Sequence, residues 1–221
     1  MATMRRSLIR AGVKLNYSGG FNPHPYISSA LPLSVGCGSV CELVDIGTDV
    51  SLLPDGVADI INRSLPEGIE VLEAYAPAGK FSAIKWLKIT GTMYYSDKAM
   101  QGSAAQSIAR NCDSHQGSIT QDGTKPGIAD LLAERYKAES IIIRKKTKRG
   151  VSDIDIAPHL KSVEFSNSAP VQVSAVISAQ EPSLSPENLM SALAGDYSKL
   201  APDFAEFTRI EVFDKDMQVF R

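Results

Sequence analysis

One stretch of this chain, Ile84–Tyr95, alternates apolar and polar residues well enough to be a strand, and Val171–Ala179 reads as another. Successive side chains on an extended backbone point to opposite faces, so each stretch reads as a half-buried strand. Shorter apolar stretches at Val13–Tyr17, Ile27–Val35, Val40–Ile46, Ile69–Ala76 and Phe207–Phe213 read the same way, with Met217–Phe220 returning after an Asp214-Lys215-Asp216 turn. Ser140–Lys148 and Val151–Ile156 flank Arg149-Gly150 and are expected to pair as a hairpin. Helical spacing is rarer. Met4, Leu8 and Ala11 recur on one face before Gly12 stops the turn, and Val57, Ile60 and Ile61 do so within Asp49–Ser64, with Pro54 near its start. Ala99–Asn111 is weakly helical and Ile128–Lys137 is a short helix. A further helix opens at Ser185, with Pro186 in the first turn and Asn188 where a capping box places its acceptor. Cys112–Gly127, rich in Gly, Ser and Asp, is a loop or hairpin.

This order predicts an α+β fold: two ferredoxin-like antiparallel-sheet halves packed with helices on one face. The break at Pro77-Ala78-Gly79 puts the halves at 1–79 and 80–221. The 221 residues, 43% hydrophobic and 22% charged, suffice for a core without disulfide or metal staples. A formal net charge of -2 excludes wholesale attraction to polyanions, so any nucleic-acid contact needs a local basic patch. Three cysteines are an odd count for a secreted disulfide framework. No apolar run approaches the roughly 20 residues of a membrane span, and no apolar stretch follows the arginines of Met1–Arg10 as in a signal peptide. A cytoplasmic protein is expected, with no membrane contact.

The strongest local signal is the loop Tyr17–Pro25. Pro23 and Pro25 fix the backbone on both sides of His24 and hold Asn22 and His24 extended. Gly19 and Gly20 permit a tight entry. The loop therefore presents a carboxamide and an imidazole on a stiffened backbone beside Tyr17, Ser18 and Phe21, as binding or proton transfer requires. The alternative is a buried turn whose Asn22 and His24 satisfy backbone groups. Arg6 and Arg10 lie four apart on one helix face with Arg5 about 100° away, an anion clamp or a solvated face.

Arg144, Lys145, Lys146, Lys148 and Arg149 form the concentrated basic run. On a strand, Lys146 and Lys148 share one face and Lys145 and Arg149 the other, so the hairpin could follow a phosphate backbone or simply stay solvated. Asp153 and Asp155 share a face roughly 6–7 Å apart, where pairing with lysines across the hairpin competes with a cation site. Cys37 and Cys41 lie roughly 13 Å apart on a strand, too far for one zinc unless Gly38 bends sharply. His115 and His159 have no partner in sequence, and Trp86 and Phe81 read as core. No metal and no cofactor are expected.

Arg5-Arg6-x3-Arg10-Ala11-Gly12, Tyr17-Ser18-x-Gly20-Phe21-Asn22-Pro23-His24-Pro25, Ile27-Ser28 and Leu31-Pro32-Leu33-x2-Gly36 resemble the uncharacterised radical-SAM-linked protein family. Arg144-Lys145-x-Thr147-Lys148-x-Gly150, Asp153-x-Asp155, Ala179-Gln180-Glu181-Pro182-Ser183-Leu184-x-Pro186-Glu187 and Arg209-Ile210-Glu211 extend the resemblance over nearly the whole chain. Family members occur alone, fused to a radical SAM enzyme, or fused to an RNase of the E/G type. They usually begin with a strand and a Ser-His-Leu-Asp-like segment, which this sequence lacks, so its first half is expected to be incomplete at its start. The chain carries no Cys-x3-Cys-x2-Cys run for a radical SAM cluster.

The resemblance implies an accessory domain beside a radical SAM or RNase partner. With the basic residues it implies non-catalytic binding of tRNA or ribosomal RNA. Phosphates would meet the run from Arg144 to Arg149, and a base or terminal group would meet Tyr17, Phe21, Asn22 and His24. Two alternatives stay open: metal-independent RNA processing with His24 as general acid/base, and a protein–protein adaptor for the partner enzyme.

Overall fold

The computed structural model describes residues 1–49, 51, 53–96, 127–147 and 150–221. Along the chain come α1 (Ala2–Arg10), β1 (Ile27–Ser29), β2 (Cys37–Ser39), β3 (Val44–Ile46) and α2 (Val57–Asn62). After them come β4 (Trp86–Tyr94), α3 (Ile128–Tyr136), β5 (Ile142–Thr147), β6 (Gly150–Asp155) and β7 (Leu160–Ser166). The chain closes with β8 (Val171–Ser178), α4 (Pro186–Ser191) and β9 (Phe204–Phe213). The fold is mixed α+β, with several sheets and few helices. The helix expected at Ala99–Asn111, the loop from Cys112 and His115 lie outside the described residues.

The chain divides into two compact units. Met1–Pro32, Glu42–Ala83 and Arg221 form the first; Leu33–Cys41 and Ile84–Phe220 form the second. In the second unit one sheet runs in the order β2-β9-β4-β8-β7. β4 is antiparallel to both β8 and β9, β7 is antiparallel to β8, and β2 joins parallel to β9. Leaving aside the separate β5–β6 hairpin, the sheet is built by the succession β4, α3, β7, β8, α4, β9. The expected alternation appears in burial: Leu87, Ile89 and Met93 on β4 are buried beside Val171, Val173, Ala175 and Ile177 on β8. Gly91 belongs to the same row because the Phe207 ring lies over it; a Cβ there would stand 2.5 Å from the Phe207 ring.

β7 is not expected from the sequence, because its apolar residues Leu160, Val163 and Phe165 do not keep one phase. A register shift between Leu160 and Ser162 restores it: the three pair with Ile177, Ala175 and Val173, which all face the core. Ala129 and Leu132 of α3 and Leu189 of α4 are buried as well. The Tyr136 hydroxyl donates to the Leu189 carbonyl at 2.6 Å and ties the two helices, and burial pushes its pKa up. Trp86 and Phe81, read as core in the sequence, are both partly exposed, and the Lys161 ammonium sits 5.3 Å from the centre of the Trp86 ring. Ser185 and Asn188 form the expected capping box at the start of α4.

The first unit is held differently. β1 and β3 pair antiparallel as a two-stranded ribbon, Ile27 opposite Ile46 and Ser29 opposite Val44. Leu8 of α1 and Ile61 of α2 are buried, and the Ser7 hydroxyl donates to the Ser64 carbonyl at 2.8 Å. The strand expected at Ile69–Ala76 does not form. The Asn62 carboxamide takes the ladder's place by bonding both the N–H and the C=O of Val71, at 2.7 and 2.9 Å. Among the described residues no helix is long and apolar enough to cross a membrane.

One carboxylate closes the β5–β6 hairpin. Asp155 accepts the backbone N–H of Ile141 at 2.8 Å and that of Ala157 at 3.0 Å. The bond from Ile141, which favours the charged form, leads the causes that hold the Asp155 carboxyl below its usual range. A carboxyl lowered on folding adds stability above its ordinary titration range and loses it as pH falls through the lowered value. Asp155→Asn is therefore expected to be less stable than the wild type at neutral pH. The gap should narrow as pH falls from roughly 5 toward 2, measured by urea unfolding; a gap independent of pH would refute the assignment.

Candidate functional site

The loop Tyr17–Pro25 is mounted on a closed ring of backbone hydrogen bonds within the first unit. Asn16 N–H donates to Gly47 C=O at 2.7 Å, Gly47 N–H to Tyr26 C=O at 2.7 Å, and Tyr26 N–H to Asn16 C=O at 2.9 Å. Three segments distant in sequence thus meet at one point, and the β1–β3 ladder continues directly from it. The Thr48 hydroxyl adds a bond to the Lys14 carbonyl at 2.6 Å, and Leu15 bridges to Thr48. Gly47 is required by the close approach, since a Cβ there would lie 2.7 Å from the Cβ of Tyr26.

Above the ring the loop closes on itself. Tyr17 bridges to Pro25, Ser18 N–H donates to His24 C=O at 2.8 Å, and His24 N–H donates to the Ser18 hydroxyl at 3.0 Å. The backbone polar groups at the neck are therefore spent on the neck. The side chains beyond it are not: Phe21, Asn22 and His24 are exposed, and neither the Asn22 carboxamide nor the His24 imidazole has a hydrogen-bond partner among the described residues. Asn22 and His24 do not satisfy a buried turn. Phe21 projects without cover, at 112% relative exposure. Tyr17, at the neck, is also exposed.

Arg5, Arg6 and Arg10 all lie exposed on α1, ahead of the loop, and Lys14 is exposed between them and Tyr17. No ion pair engages any of these four among the described residues. The sequence carries a signal here beyond the arginines themselves: from Met1 to Cys41 there are four cations and no carboxylate. A net charge taken over the whole chain hides that segregation.

The hairpin β5–β6 belongs to the second unit. Arg144 opposes Asp153 in register, and their charged groups stand 3.7 Å apart with both side chains largely exposed. Asp153 thus pairs with the arginine rather than with a lysine, and Asp155 is taken by backbone amides. Lys145, on the opposite face from Arg144, donates to the Ser183 carbonyl. The side chain of Lys146 and the whole of Lys148 and Arg149 lie outside the described residues. Cys37 and Cys41 are not joined to each other, and burial raises the Cys37 pKa, with the charge of Glu187 adding and that of Arg209 opposing. Among the described residues no group of three or more His, Cys, Asp or Glu is placed to hold a metal ion.

The ring makes the loop's presentation testable. Gly47→Ala is expected to force residue 47 and Tyr26 apart, open their hydrogen bond in the ring and free the neck, since packing at this spacing cannot yield a methyl group's width without shifting. Amide exchange at Ser18 and His24 should quicken by at least roughly tenfold, equivalent to about 1.4 kcal/mol of local protection. Unchanged protection there would show that the ring does not hold the loop.

No curated protein and no solved structure matches the chain. A family model matches residues 1–186, a span that takes in α1, the loop, the ring and the hairpin. The chain belongs to that family, described as an uncharacterized protein conserved in bacteria (DUF2344).

Proposed function

We propose that this protein is a non-catalytic RNA-binding accessory protein of the cytoplasm, acting on tRNA or ribosomal RNA beside a radical SAM partner. The observation that carries the reading is the segregation of charge in the first unit. Arg5, Arg6, Arg10 and Lys14 are exposed and without an ion pair among the described residues, and no carboxylate occurs from Met1 to Cys41. Such a segment attracts phosphates without reading sequence. The loop that follows supplies what a cationic helix lacks: donors, an acceptor and apolar rings held on a fixed backbone. Arg144 of the hairpin offers a separate phosphate contact, with Lys146, Lys148 and Arg149 assigned to the same role from the sequence.

The radical SAM partner rests on the resemblance of the motifs from Arg5 to Gly36 and from Arg144 to Glu187. A ferredoxin-like reading of the second unit is supported by its strand order β9-β4-β8-β7 and by the succession β4, α3, β7, β8, α4, β9. For the first unit the same reading has the β1–β3 pair with α1 and α2. Binding is favoured over catalysis because, among the described residues, the His24 imidazole has no group that orients it, whereas a general base is usually fixed by a third partner.

Filter binding with total RNA over a range of salt tests the proposal. The wild type should bind, and affinity should fall with salt. Arg6→Ala/Arg10→Ala should flatten the log–log slope by roughly 0.7 for each single-strand phosphate no longer neutralised. Absence of affinity, or affinity indifferent to salt, would sink the reading. RNA cleavage that His24→Ala abolishes while binding persists would instead establish the enzyme. Nuclease-insensitive co-purification with a radical SAM protein, without RNA affinity, would establish the adaptor.

A further inference from the structure

We infer that the tip of the Tyr17–Pro25 loop captures an unpaired nucleobase, so that the substrate is single-stranded rather than duplex RNA; this rests on the RNA reading above. Three features of the loop lead there. The Phe21 ring is wholly in solvent, and among the described residues no aromatic partner or apolar neighbour covers it. The loop that bears it is closed at its base by the reciprocal Ser18–His24 hydrogen bonds, which fix where the tip leaves the unit. Its neighbour Asn22 carries both a donor and an acceptor, neither engaged among the described residues.

A ring held out in this way gains from stacking on the face of a base, and every base has one. In a duplex those faces are already stacked, and the A-form major groove is too deep and narrow for a loop to enter. Only an unpaired base offers both a free face to Phe21 and a free hydrogen-bonding edge to Asn22. Charge complementarity decides between a nucleotide and a buried protein pocket as the ring's destination. The residues leading into the loop carry four exposed cations and no carboxylate, which suits an occupant with a phosphate at every unit. The phosphates would lie toward Arg6, Arg10 and Lys14, and the base toward the tip.

The test is fluorescence anisotropy of a labelled, unstructured uridine oligomer and of a blunt RNA duplex of equal length, titrated with wild type, Phe21→Ala and Phe21→Trp. Because Phe21 lies outside the core, Phe21→Ala should leave the unfolding midpoint unchanged. The inference expects the wild type to prefer the single strand. Phe21→Ala should weaken that binding roughly tenfold, the loss of one base stack, and leave the duplex affinity unaltered. Phe21→Trp should keep the single-strand affinity or raise it. A duplex preference, or equal effects of Phe21→Ala on both RNAs, overturns the single-strand inference and leaves the RNA reading standing. Failure of the wild type to bind either RNA overturns both.

Discussion

The loop is only as fixed as the ring formed by Asn16, Gly47 and Tyr26. Each of its hydrogen bonds contributes a net stability of only about 0.5–1.5 kcal/mol. Their importance is geometric: each residue donates to one neighbour and accepts from the other, so none of the three segments can slide without opening two bonds. A two-stranded ribbon is marginal in water by itself. Here the β1–β3 ladder gains a third segment at the end where the loop departs, and Thr48 stitches that segment down through the Lys14 carbonyl. The glycine at 47 is the element that makes the approach close enough, which is why a residue distant from the loop in sequence governs how the loop is held.

The two units differ in what holds them. The second buries side chains of β4, β8 and β9 side by side, the arrangement in which hydrophobic burial dominates. In the first, Leu8 and Ile61 are the buried apolar residues among those described, and polar ties do much of the joining: Ser7 to Ser64, Asn62 to Val71, Thr48 to Lys14. Elements of low local stability are where binding loops are usually found, since a site that must accommodate a ligand draws on the less tightly packed part of a fold. The loop sits in that part, yet its own neck is closed, so rigidity is concentrated where presentation needs it.

The mixed α+β class is legible because β4 alternates well enough and β8 is rich in β-branched residues, and the start of α4 because Ser185, Pro186 and Asn188 stand at their helix-start positions. β7 is hidden for a physical reason. A bulge adds a residue to one strand, so Leu160 falls out of phase with Val163 and Phe165 in sequence while sharing their face in space. Ile69–Ala76 misleads for the opposite reason: its apolar content suits a strand, but the Asn62 carboxamide already satisfies Val71, and no ladder follows. At the site, the stiffness of the proline-flanked loop can be read from sequence. The ring cannot, because it joins Asn16, Tyr26 and Gly47, which no local pattern links. The exposure of Asn22 and His24 also needs the three-dimensional arrangement, since the same residues in a buried turn would have an identical sequence.

The hairpin and the loop offer cations of different kinds. Arg144 has a carboxylate 3.7 Å away, but both side chains are largely solvated, and such a pair holds at most about 1 kcal/mol. A phosphate could replace Asp153 at little cost, so the pairing weakens Arg144 as a contact without removing it. Lys145 is held on the opposite face by the Ser183 carbonyl, which fixes the orientation of its strand rather than offering charge to a ligand. The hairpin thus turns one face inward, with Ile143 buried, and leaves Ile142, Arg144, Val151 and Asp153 outward, a surface where opposite charges partly cancel. In the segment from Arg5 to Lys14 no cation is in an ion pair among the described residues. Arg5, Arg6, Arg10 and Lys14 are exposed, and the first carboxylate in sequence is Glu42. Under the RNA binding proposed above, the phosphate backbone is expected to favour the segment from Arg5 to Lys14 over the hairpin.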